Sequence, residues 1–198
     1  MAITRIDFQV FDVGQGSCNY VRIWDDASPR VQNVLIDLGT HSRHAECEEV
    51  MNTLATEITE ESGGHIDVVV ITHGDGDHYN LVLPLLERLP DATIGNVFYG
   101  TARTGRFDEV LKTLERHCPF VTPFGPSETD YDPASGTWGS FWSTGVAGNM
   151  VNLRLLVANI PCTTYLASGT NATRDYRFNT QSAVVGIEWN DAWMIAAG

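Results

Sequence analysis

Apolar and polar positions alternate from Ile3 along "ITRIDFQVFDVGQG", which predicts a strand running into a Gly-rich turn. "SCNYVRIW" alternates again and predicts a second strand. After the turn "SPR", "VQNVLIDLG" predicts a third, closed by Gly39. The period then changes. Residues 43–61 place Val50, Leu54 and Ile58 at helical spacing, and the "GG" pair that follows stops the helix. "HIDVVVIT" is an apolar run suited to a strand buried on both faces. "LVLPLLERL" predicts a short helix with Pro84 in its first turn, where a missing N–H is tolerated. "IGNVFYG" predicts a strand and "RFDEVLKTLERH" a helix.

Beyond residue 121 the character shifts. Residues 122–149 are rich in Gly, Pro, Ser and Thr and read as a long loop or flap carrying Trp138, Phe141 and Trp142. "MVNLRLLVANI", a stretch around "TTYLAS", "SAVVGIEWN" and "AWMIAAG" read as strands. Strands, then strand–helix alternation, then strands again predict an α/β layered sandwich with helices outside. No repeat of fixed period and no low-complexity tract interrupts this order. Gly14-x-Gly16 invites a dinucleotide-binding reading, but the third glycine is absent and a strand pattern follows, so that reading fails.

The 198 residues suffice for a single domain spanning 1–198. No apolar run is long enough for a membrane span, and the N-terminus lacks a signal-peptide layout. Cys18, Cys47, Cys118 and Cys162 are scattered without a CxxC, so free thiols in a cytoplasmic protein are expected. Twelve Lys and Arg stand against 25 Asp and Glu, a formal charge of −13. That balance argues against tight non-specific nucleic-acid binding by this chain alone. Phosphate substrates stay open, because bound cations can dominate a pocket's local charge.

The candidate chemistry lies in "VVVITHGDGDHYN". His73, Asp75, Asp77 and His78 follow a buried strand, with Gly74 and Gly76 allowing a sharp turn between them. Asp-Gly alone would be an ordinary turn. Two imidazoles and two carboxylates together form a metal-binding pattern, and in an irregular turn they can diverge to serve two ions about 3.5–4 Å apart that activate a water. The donor set is oxygen-rich, which favours Mn²⁺ or Mg²⁺ relative to Zn²⁺. No Ser-His-Asp or reactive-Cys pattern competes.

These residues resemble the metallo-β-lactamase fold superfamily, whose usual signature is HxHxDH after such a strand. Here the pattern is HxDxDH, similar to the ComEC/Rec2-like branch, the nuclease-like domain associated with a DNA-uptake protein. "FDVGQGS" at 11–17 resembles that branch's opening, "NVLIDLG" at 33–39 its LIDxG strand, and "NTQSAVVGIEWNDAWMIAAG" at 179–198 its late strand pair. The resemblance implies an αββα sandwich and two divalent ions, Mn²⁺ or Zn²⁺ with Mg²⁺ as a further candidate. It implies that His73 and Asp75 help hold one ion and that Asp77 and His78 help hold the other. Asp77 would also orient the attacking water, as the catalytic residue. The departures are Asp75 in place of a histidine, no histidine after His117, and a chain ending at Gly198, where the family's bridging Asp would follow. On that basis the C-terminal part of the fold is expected to be truncated, with a partner protein or further domain after Gly198.

Asp12 and Asp37 each follow a strand and are candidate partners for the ligating histidines, against the alternative of strand-end turn acids. Asn179 and Ser182 are placed near the site by the resemblance, against the alternative of capping the next strand. His41 and His44 read as capping or exposed, His65 as exposed, and His117 as a helix-end residue. Trp138, Phe141 and Trp142 read either as a substrate flap or as anchors of the loop. The expected activity is metal-dependent hydrolysis of a phosphodiester, in DNA or a nucleotide. The alternatives are ester, thioester or lactam hydrolysis by the same fold, or a degenerate domain that binds without turnover.

Overall fold

The computed structural model describes residues 2–100, 103, 105–125, 129–158 and 182–197. A six-stranded sheet runs in chain order through β1 (Ile3–Val10), β2 (Gly16–Asp25), β3 (Gln32–Thr40), β4 (His65–Ile71), β5 (Thr93–Tyr99) and β6 (Val121–Pro123). The first three strands pair antiparallel, and β3 through β6 pair parallel. Parallel neighbours need crossovers, and helices fill them. These are α1 (Glu48–Ser62) before β4, α2 (Gly76–Tyr79) and α3 (Val82–Arg88) before β5, and α4 (Gly105–His117) before β6. Pro84 lies in the first turn of α3, as expected.

Inheritance from sequence to packing is direct in the central strands. Every residue of β3 after Gln32 is buried. In β4, Val69 and Ile71 join the cluster under the helices, while Val68 and Val70 face the second sheet. A strand covered on both faces has no polar side to show, hence the unbroken "VVVI" run. The helices contribute one stripe each to the same layer: Met51, Leu54 and Ile58 from α1, and Phe107, Val110, Leu111 and Leu114 from α4. α1 stops at Gly63, which adopts φ 66° while Gly63 and Gly64 donate to the carbonyls of Thr59 and Ile58.

A second sheet, ordered β12-β11-β10-β9, packs against the first. Its strands are β9 (Trp142–Val146), β10 (Asn149–Ala158), β11 (Ala183–Trp189) and β12 (Ala192–Ala197), all antiparallel. Val151, Leu153, Leu155, Val185 and Ile187 meet Val21, Ile23, Val34 and Ile36 across the interface. The result is the layered α/β sandwich the patterning predicts. Among the described residues no helix is long and apolar enough to cross a membrane. The stretch around "TTYLAS" and Cys162 lie outside the described residues; Cys18, Cys47 and Cys118 are buried free thiols.

Residues 122–149 depart from the expected loop. They hold part of β6, a small hairpin of β7 (Tyr131–Asp132) and β8 (Thr137–Trp138), and β9, which pairs with β10. Local composition hid these strands because the Gly, Pro, Ser and Thr content masks short strands, and β6 takes its partner from β5. The flap reading also changes. Phe141 packs against Phe98 and Phe124 with ring centroids 4.8 and 5.2 Å apart, and Trp142 joins the inter-sheet core, so both act as anchors. Trp138 stays exposed, resting near Tyr131 and Trp193.

Candidate metal centre

Three chain segments meet at one end of the first sheet: the end of β3, the loop after β4 with α2, and the start of β11. The Ala183 N–H donates to the Thr72 carbonyl at 2.8 Å, which ties the second sheet to this loop and brings Ser182 beside it. Asn179 lies outside the described residues.

The end of β3 is irregular. The β2–β3 pairing slips between Cys18 and Asn19, opposite Leu38 and Ile36, so Asp37 is the extra residue of a bulge. It adopts φ 59°, a left-handed conformation that Asp tolerates better than most side chains. The bulge turns a buried carboxylate toward the next strand. Asp37 Oδ1 accepts the Thr72 N–H at 2.7 Å, and Oδ2 accepts the Thr72 hydroxyl at 2.6 Å. Oδ2 also lies 2.9 Å from His78 Nδ1. This contact fixes the imidazole and leaves Nε2 facing the loop. Asp37 is therefore a positioning partner of a motif histidine. Asp12 has a different place: it is exposed, and its Oδ1 accepts the Gly14 N–H at 2.9 Å, closing the glycine turn.

Two glycines explain how closely the segments approach. A Cβ on Gly39 would meet the backbone of Asp77 at 2.4 Å and of His78 at 2.6 Å. A Cβ on Gly16 would meet the Gly39 carbonyl oxygen at 2.1 Å. Only residues without Cβ let β2, β3 and α2 stack this tightly. Asn80 locks the same junction, accepting from Thr40 N–H at 2.9 Å and donating to the Thr40 carbonyl at 2.7 Å.

The four motif side chains then fall into two sets. His73 is 2% exposed; its Nε2 is buried without a hydrogen-bond partner among the described residues and lies 3.9 Å from Asp75 Oδ2. Asp75 is about half exposed. On the other side, His78 Nε2 is 3.9 Å from Asp77 Oδ2, and the same oxygen is 3.3 Å from His41 Nε2. The His73 and His78 rings stand 5.2 Å apart between centroids. Among the described residues no three His, Cys, Asp or Glu side chains gather as one metal-holding group. The donors are adjacent but paired. An orphaned buried imidazole nitrogen facing a carboxylate is nonetheless a costly arrangement that a cation would relieve, so the donor chemistry fits a divalent ion.

The electrostatics separate the two histidines. Burial lowers the pKa of His73, with His78 adding to the effect and Asp75 opposing it. For His78 burial also works downward, but the hydrogen bond and charge of Asp37 prevail and the pKa is raised. His73 is thus kept as a neutral imidazole, the form that ligates.

His41 is the site residue that sequence reading missed. It is exposed, as expected, but its ring also contacts Asp77. Its only sequence signal is position, two residues after Gly39. His65 is engaged with Thr93 Oγ1 at 2.7 Å, and His117 Nδ1 is 3.0 Å from the Ala92 carbonyl.

Residues 12–145 match the family model described as the metallo-beta-lactamase superfamily. Among solved structures the chain is similar to the metallo-beta-lactamase fold protein YhfI from Bacillus subtilis, at 12% identity and a TM-score of 0.47. That match covers 98% of this chain and 63% of the other, so the chain spans less than two thirds of its length. No curated protein matches the chain.

Proposed function

Because the chain belongs to the metallo-beta-lactamase superfamily, we propose that it is a metal-dependent hydrolase acting on phosphodiesters, with His73, Asp75, Asp77 and His78 as the metal-holding residues. The observation that carries this reading is the buried His73 Nε2, which has no hydrogen-bond partner among the described residues and lies beside carboxylates and imidazoles. When bound, one or two divalent ions would supply an activated water and charge stabilisation for the leaving oxygen. The chain's own residues do the rest. Asp37 holds the His78 ring, Gly39 admits the motif turn against β3, and Asp77, one-fifth exposed, would orient a water.

The phosphodiester assignment rests on the oxygen-rich donor set, which suits Mn²⁺ or Mg²⁺ as well as Zn²⁺. Within the superfamily, the HxDxDH pattern is what supports a ComEC/Rec2-like reading. With 25 acidic against 12 basic residues, a nucleotide-sized substrate or DNA presented by another domain or partner protein fits better than free duplex DNA. A non-catalytic binding domain is the second reading, favoured by the paired arrangement of the donors.

The test is hydrolysis of bis-p-nitrophenyl phosphate with Mn²⁺, comparing wild type with Asp77→Ala. Activity lost in the variant supports the proposal. Metal binding with no turnover on phosphodiester, ester, thioester or lactam substrates would establish the binding-domain reading in its place.

A further inference from the structure

We infer that His41 is a metal ligand and that, with Asp77 and His78, it forms the tighter of the two cation positions. The inference rests on the metal-site reading above and deepens it. Donors about 2.1 Å from one tetrahedral ion stand roughly 3.4 Å apart. His41 Nε2 and Asp77 Oδ2 are 3.3 Å apart, and Asp77 Oδ2 and His78 Nε2 are 3.9 Å apart. Asp77 Oδ2 thus stands between the two imidazoles; the three side chains do not form a closed group among the described residues, and the inference is that an ion draws them together. The opposite pair, His73 Nε2 and Asp75 Oδ2, is 3.9 Å apart and offers two donors; His41 and Asp75 are each about half exposed, so donor number and spacing, not burial, separate the two positions.

His41 owes its position to a fixed backbone. Its N–H donates to the Gln15 carbonyl at 2.6 Å. Thr40, just before it, donates its hydroxyl to the Val13 carbonyl at 2.5 Å and is clamped by Asn80. The Thr40 hydroxyl in turn accepts the Ser42 N–H at 2.8 Å. The residue is therefore presented from β3, across the motif turn, by a segment with little freedom to withdraw. Nitrogen donors are scarce here: of six histidines, His65 and His117 are engaged elsewhere, and none follows His117. Two imidazoles and one carboxylate from two chain segments make a set that favours Co²⁺ and Zn²⁺ more than the His73–Asp75 pair does.

The experiment is titration of the 198-residue chain with Co²⁺, read by calorimetry and by visible d–d absorption, in wild type, His41→Ala, Asp75→Ala and His117→Ala. Melting curves check folding, and His41→Gln is read in place of His41→Ala should the latter not fold. The expected result is a first ion bound on the order of 10-fold or more weakly in His41→Ala, with altered absorption, a smaller loss in Asp75→Ala, and a change of less than about 3-fold in His117→Ala. A first ion that binds His41→Ala as tightly as wild type, or that depends on Asp75 as strongly as on His41, overturns the inference and leaves the metal site standing. A wild-type chain that takes up no Co²⁺, Zn²⁺ or Mn²⁺ overturns both.

Discussion

Asp37 Oδ2 lies 2.9 Å from His78 Nδ1, although the two residues are 41 positions apart and on different elements. The contact exists because a bulge puts Asp37 at φ 59° and turns its carboxylate toward β4. Asn tolerates the same backbone, so Asp37→Asn removes the charge and leaves the bulge intact. It should weaken metal affinity about 10- to 100-fold, as expected when the partner of a ligating histidine is removed. Calorimetric titration with Zn²⁺ or Mn²⁺ checks it; an unchanged affinity would mean that His78 is not oriented through Asp37.

The same pair sets a pH dependence in ion-free protein. The His78 pKa is raised above the ordinary value of 6.5, burial opposing and Asp37 prevailing. A raised folded-state value means that the stabilisation is fully present below 6.5 and is lost as pH rises through the folded pKa. The melting-temperature difference between wild type and Asp37→Asn, measured with chelator present, should therefore be larger at about pH 5.5 than at about pH 8.5. A difference that is flat or grows with pH contradicts the charged pair.

Gly39→Ala should be disruptive out of proportion to one methyl group. The added carbon would meet main-chain atoms of Asp77 and His78 at 2.4 and 2.6 Å, and backbone cannot swing aside as a side chain can. A loss of about 1–3 kcal/mol is expected, together with weakened metal binding as the motif turn is pushed off β3. Urea denaturation and metal titration on the same sample measure both; Gly63→Ala, where the added Cβ meets nothing within 4 Å but φ is 66°, compares strain without the clash.

Asp75→His tests the hardness of the donor set. Asp75 is accessible and 3.9 Å from His73 Nε2, so an imidazole there gains a second nitrogen beside the first. Zinc retention after dialysis should rise relative to manganese. Equal zinc retention in both proteins sinks the argument.

Phe141→Ala should loosen the junction between the sheets. Its ring meets Phe98 and Phe124, and its N–H donates to the Leu153 carbonyl at 3.0 Å. For a half-buried aromatic a cost of about 1–3 kcal/mol is expected, below the value for full burial. A substrate-flap role would instead lower activity with stability unchanged.

Much of this protein is written in its local pattern. Period-2 and period-3.6 spacing marked β1 to β5, α1, α3 and α4, because each buries one stripe or both faces and the side chains must follow. The "VVVI" run announced a strand covered on both sides, and His73, Asp75, Asp77 and His78 stood out because so many donors rarely crowd one turn. What tertiary structure alone decided depends on partners remote in sequence. β6 exists only because Val97 lies beside it, and its own residues carry no strong pattern. Asp37 and Asp12 look alike in sequence, each an acid at a strand end. A bulge buries the first against Thr72 and His78, while a glycine turn leaves the second in water. His41 is a surface histidine whose contact with Asp77 is set only when Gly16, Gly39 and Asn80 bring β3 against the motif turn. Side-chain periodicity encodes which face is buried; it carries no record of which distant segment will supply the neighbour.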